Sequence, residues 1–166
     1  MMGQSAARIT DPVSHPLPSV LTGGPGSQNV VIGGIPAWRG IPIAAVGAIQ
    51  SAKQSSDLAI KNAEAATLAA VGTPGAPGAK AAEETTKATA ATTMGNLITT
   101  SAMGADIHTC STPLPIPPHG PGVVIDGSQT VLINGLPACF VGNTIVEALG
   151  PPNKIVMGCP TVLIGP

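Results

Sequence analysis

Apolar positions along the chain fall into two regimes. Toward the ends they form short, largely β-branched runs, Val30-Val31-Ile32, Val131-Leu132-Ile133 and Val162-Leu163-Ile164, each with a glycine within about four residues on both sides. Runs of this length bounded by turn residues predict short strands that lead into reversals. A further run, Val123-Val124-Ile125, precedes the second of them at turn distance. Between about residues 43 and 71, and again between about 79 and 103, the pattern changes to alanine with scattered Lys, Glu, Gln and Thr. The two stretches are parted by Gly72-Thr73-Pro74-Gly75-Ala76-Pro77-Gly78. Alanine favours the helix more than any other residue and Pro-Gly clusters end helices, so two antiparallel helices joined by a stiff loop are predicted.

The strand runs belong to a repeated phrase. Residues Gly26 to Ala37 (GSQNVVIGGIPA) match Gly127 to Ala138 (GSQTVLINGLPA), and Gly158 to Gly165 (GCPTVLIG) is a shortened third copy. The second and third copies start 31 residues apart, the first and second 101. A period near 31 leaves roughly 70 extra residues in the first gap, which is where the alanine-rich stretches lie. The expected fold is therefore mainly β: a small pseudo-threefold body made of residues 1–42 and 105–166, with residues 43–104 inserted as a helical hairpin. Lys53, Asp57, Lys61 and Glu64 follow one another at spacings of three and four, which places charge along the first helix and argues against a bilayer span.

Composition sharpens this picture. The chain has 21 glycines and 18 prolines, only 9% charged residues, and Trp38 and Phe140 as its sole aromatics. With 43% hydrophobic residues it folds, but around small aliphatic side chains that each bury little area, so a staple would add much. A net charge of -1 without basic clusters excludes the electrostatic footprint of a nucleic-acid partner. Neither a signal-peptide pattern in Met1 to Thr10 nor a run of 18 apolar residues is present, so synthesis in the cytoplasm without a leader is expected. Three cysteines without a leader argue against a disulfide framework and leave metal binding or burial.

All three histidines stand beside turn signals outside the strand runs: His15 in DPVSHP, His108 in DIHTC and His119 in PPHG. A pseudo-threefold fold brings equivalent loops together at its axis, so histidines distant in sequence can converge. Three imidazoles and one thiolate make a sound tetrahedral set for one zinc ion, with iron as the other candidate. The thiolate expected is Cys159, which replaces Ser27 and Ser128 of the other copies. Cys110, two residues after His108, is the reserve, and Cys139 is expected to be buried packing. Four protein ligands close a site and make it structural. No phosphate loop, nucleophile elbow or paired carboxylates stand in a suitable context, and the chain is not expected to be an enzyme.

These residues carry a resemblance. The second copy with its Pro137-Ala138 turn resembles PAAR-repeat proteins, the tips of type VI secretion and related contractile injection spikes. It departs from the family phrase at Cys139-Phe140, where Ala-Arg is usual, and at Asn143, where aspartate is usual. Residues Ala6 to His15 (AARITDPVSH) resemble the prePAAR motif. The resemblance covers residues 1 to about 40 and 105 to 166. It implies a conical β body with one metal near its apex, held by His15, His108, His119 and Cys159, and a base seated on a trimeric spike of the valine-glycine-repeat type. It also implies membrane puncture and effector delivery, with export at the tip of the apparatus. A separate effector or chaperone bound through the helical insertion is the expected cargo arrangement. Two alternatives remain: a small zinc hydrolase with an open metal position, and an adaptor that recruits an effector.

Overall fold

The computed structural model describes residues 2–15, 19–110 and 119–165. In chain order its elements are β1 (Gln4–Ala6), β2 (Pro12–Val13), β3 (Ser19–Val20), β4 (Val31–Ile32), β5 (Ile35–Pro36), α1 (Ile43–Ala69) and α2 (Ala76–Ser101). They continue as β6 (His108–Thr109), β7 (Pro121–Val124), β8 (Leu132–Ile133), β9 (Leu136–Pro137), β10 (Thr144–Glu147), β11 (Asn153–Lys154) and β12 (Cys159–Ile164). The architecture is mixed: two long packed helices accompany several small sheets. The expectation of a mainly β chain is met only in part, because the helices of 27 and 26 residues outweigh strands that are mostly two to four residues long.

The repeated phrase makes two hairpins and one composite of them. β4 pairs with β5, Ile32 opposite Ile35, and β8 pairs with β9, Ile133 opposite Leu136. Both turns need two consecutive residues at positive φ, supplied by Gly33 and Gly34 (59° and 81°) and by Asn134 and Gly135 (55° and 78°). That is the type I′ reversal whose twist suits a two-residue hairpin. β12 has no following strand in sequence, and β1 from the other end of the chain pairs with it, Gln4 opposite Ile164 and Ser5 opposite Leu163. The third copy is thus completed by the N-terminal residues.

Past each hairpin the three lobes join. Trp38 N–H donates to Ala7 O (3.0 Å), Cys139 N–H to Trp38 O (3.1 Å) and Ala7 N–H to Cys139 O (2.8 Å), a closed ring of three backbone bonds. One residue on, the amides of Arg8, Arg39 and Phe140 donate to the side chains of Asp11 (2.7 Å), Asp106 (2.8 Å) and Asn143 (2.7 Å). Equivalent atoms meet equivalent partners, so the three lobes are related residue by residue. In the first lobe the partner lies 67 residues away rather than three, because α1 and α2 intervene.

The helices form where the alanine pattern predicts them. Their inner ends enter the body: Ile49, Met94, Ile98 and Ala102 pack with Ile41, Val123, Leu136, Val146 and Ala148. Further out the seam is polar. Lys87 Nζ lies 2.7 Å from both Glu64 and Glu83, and Thr67 Oγ1 donates to Ala79 O (3.2 Å). Thr85, Thr86, Thr92, Thr99 and Thr100 turn their hydroxyls back to the carbonyls four residues earlier, so these threonines are satisfied along the helix's own backbone. No helix among the described residues is long and apolar enough to cross a membrane.

Glu83 gives this seam a pH dependence. Hydrogen bonds from Lys87, Thr67 and Lys80 lower its carboxyl to about 2, against an ordinary 4.5. A depressed carboxyl stabilises the fold above its unfolded value and loses that contribution as pH falls toward its folded value. The expected result is that Glu83→Gln lowers the thermal midpoint at pH 7, and that the difference from wild type shrinks between about pH 4.5 and 2. Paired melting curves at pH 7 and 3 check it.

Candidate metal centre

Each lobe sends one side chain to a common point. Four positions after the residue that receives the lobe amide stand His15 (after Asp11), Cys110 (after Asp106) and Glu147 (after Asn143). β2 leads toward His15, β6 leads toward Cys110, and Glu147 is the last residue of β10. His119 joins them from the approach to β7. One ligand atom from each of His15, Cys110, His119 and Glu147 lies within 4.8 Å of the other three. Cys110, His119 and Glu147 are buried, and His15 is half-buried.

The contacts are tight. His15 Nε2 lies 2.9 Å from His119 Nδ1 and 3.3 Å from Cys110 Sγ. His119 Nδ1 lies 2.8 Å from Glu147 Oε2, which also accepts from Asn153 Nδ2 (3.0 Å). His119 rests on Gly150, whose φ of +82° excludes a side chain that would meet the ring. Glu147 Oε1 and both ring nitrogens of His108 are buried without a hydrogen-bond partner among the described residues.

The donor set suits a divalent ion. A thiolate and a carboxylate balance two positive charges, and two neutral imidazoles complete four ligands of the types zinc accepts. A buried complex of zero net charge avoids the desolvation cost of an unbalanced one. Tetrahedral zinc holds such donors about 3.3–3.8 Å apart, so the contacts at 2.8 to 3.3 Å would open by only about half an ångström. An ion here would supply a crosslink between lobes. With four protein donors it would have no position for substrate.

Of the residues expected from sequence, His15 and His119 enter this group and His108 stands beside it, its Nε2 3.4 Å from Glu147 Oε1. Cys159 lies elsewhere, at the start of β12 among Ala6, Ile32, Ala37, Ile133, Ala138 and Ile164. There it contacts the hydroxyl two residues on as Ser128 does: Ser128 Oγ lies 3.4 Å from Thr130 Oγ1 and Cys159 Sγ 3.3 Å from Thr161 Oγ1. Hydrogen bonds from Thr161, with the Arg8 charge nearby, hold the Cys159 thiol below its ordinary value. Cys110, the reserve, is the thiol beside the histidines. Cys139 is fully buried, and desolvation pushes its thiol well up, as befits packing.

Spacing counted from the strand phrase does not point to Glu147. Measured from Asp11, Asp106 and Asn143, the three positions fall in register, and Glu147 stands where the other lobes place imidazole and thiol.

Comparison with known families now bears on this arrangement. Residues 116–166 match the family described as PAAR motif. The chain carries a PAAR motif. The matched stretch holds the second and third copies of the phrase, together with His119, Glu147 and Cys159, and leaves out the N-terminal segment. No curated protein and no solved structure matches the chain. A PAAR motif marks the spike tips of type VI secretion, proteins that bind the valine-glycine-repeat spike, are secreted with it and are generally not catalytic. A closed four-donor group agrees with a structural role.

Proposed function

We propose that this protein is a metal-stapled tip that caps the trimeric spike of a type VI secretion or related contractile injection apparatus, aiding membrane puncture and effector delivery. Residues 1–42 and 105–166 form the conical tip and residues 43–104 an inserted arm. The segment Ala6 to His15 acts as a prePAAR element: it completes the third lobe and brings His15 to the centre. The metal is one structural zinc, held by His15, Cys110, His119 and Glu147.

The observation that carries this reading is the PAAR motif on a body whose three lobes are equivalent. Such a body suits a threefold partner. Val31, Leu132 and Leu163 occupy the same hairpin position and are 61%, 58% and 59% exposed, whereas the next residues, Ile32, Ile133 and Ile164, are buried. Three matching aliphatic side chains presented to solvent form an apolar surface with the symmetry of a trimer's end. Replacing Val31, Leu132 and Leu163 together by Asp is expected to reduce co-purification with the trimeric spike at least tenfold while metal content stays near one per chain. Undiminished co-purification would mean that the spike sits on another face.

A further inference from the structure

Gly122 stands between two side chains that the fold brings together. In the sheet β11-β10-β7-β6 it is the register partner of His108 on one side and of Glu147 on the other. Three residues in a row across a sheet point to the same face. The middle one has no side chain, so the outer two can meet over it: His108 Nε2 lies 3.4 Å from Glu147 Oε1. A Cβ at Gly122 would stand 2.8 Å from Glu147 Cγ. His108 and Glu147 are 1% and 0% exposed, and the two facing atoms are without other partners among the described residues. Glu147 Oε2, by contrast, is fully engaged with His119 and Asn153.

We propose that His108 is a positioning residue of the metal centre: its Nε2–H holds Glu147 Oε1, fixing the carboxylate so that Oε2 faces the ion. The proposal rests on Glu147 being a ligand. In this tautomer His108 Nδ1 is an acceptor only, so no buried donor is left unpaired. Opening of the ligand cluster onto an ion, by about half an ångström, would bring the imidazole and the carboxylate into line. The role explains a fully buried histidine beside, and not within, the four-donor group.

The test uses the full chain loaded with Co2+, whose visible spectrum reports ligand number and the thiolate bond. His108→Ala is expected to weaken Co2+ binding about 10- to 100-fold, as loss of an outer partner does, with band positions and intensities unchanged. His108→Gln, which keeps a donor, is expected to recover most of the affinity and decides the matter if His108→Ala does not fold. A His108→Ala or His108→Gln spectrum showing a lost or replaced ligand would overturn the proposal by making His108 a ligand itself. So would affinity within twofold of wild type in His108→Ala. Glu147→Gln is the control: if it leaves both affinity and spectrum untouched, the assignment of Glu147 to the centre has failed, and the proposal with it.

Discussion

Stripping the metal with a chelator at neutral pH is expected to lower the thermal midpoint by about 10 °C or more. The size follows from what the ion joins. His15, Cys110 and Glu147 come from three different lobes and His119 from a fourth segment, so one ion held by them would tie together chain segments far apart in sequence. Structural zinc contributes an apparent 10 kcal/mol or so in small metal-dependent domains. Here the ring of backbone bonds and the aliphatic clusters remain without it, and a loss of several kcal/mol is the reasonable fraction. At about 2–4 °C per kcal/mol for a chain of this size, the shift exceeds 10 °C. Without an ion the Glu147 carboxylate also stays buried with one oxygen unpaired, which adds to the cost. Calorimetry with and without chelator, and after zinc is restored, measures it. A midpoint that does not move would show that the lobes are held by their backbone bonds and core alone.

Asp106→Ala is expected to destabilise the protein by about 3–5 kcal/mol, the usual effect of removing one partner of a buried ion pair. Asp106 is fully buried and accepts from Gly26 N (3.0 Å), Arg39 N (2.8 Å), Arg39 Nε (3.0 Å) and Arg39 Nη2 (2.9 Å). It thereby links the end of the helical insertion to the first hairpin. The same bonds raise the Arg39 guanidinium above its ordinary value, and since a guanidinium keeps its charge without them, removing the carboxylate leaves that charge unpaired. Asp106→Asn should cost clearly less. The second lobe already uses the neutral pair Phe140 and Asn143, in which the side-chain oxygen still receives the lobe amide. Urea unfolding of the two variants separates the contributions: equal losses would mean that the charge counts for everything and the retained amide bond for nothing.

How far the sequence was legible depended on which residues carried the repeat. The hairpins could be read from Gly33-Gly34 and Asn134-Gly135, because two consecutive residues at positive φ leave few choices of amino acid. The helices could be read from alanine and the Pro-Gly loop. The closure of the third lobe by Gln4 to Ala6 could not, since those residues share no phrase with Ile35-Pro36-Ala37 beyond one alanine. Backbone hydrogen bonds, which any residue can make, define that equivalence. The four-donor group was hidden for a related reason. The insertion separates Arg39 from Asp106, which conceals the spacing that aligns Cys110 with His15 and Glu147. Attention to Cys159 followed from a serine-to-cysteine change that the fold uses in a turn, not at the centre.

The central claim is that one metal is held where the three lobes converge, with Cys110 as its thiolate. Elemental analysis and metal-edge X-ray absorption of wild type, Cys110→Ser and Cys159→Ser test it most directly. The account predicts one metal per chain with a single sulfur neighbour in wild type and in Cys159→Ser, and loss of that sulfur, with most of the metal, in Cys110→Ser. Loss of the sulfur from Cys159→Ser, with Cys110→Ser unchanged, would contradict it.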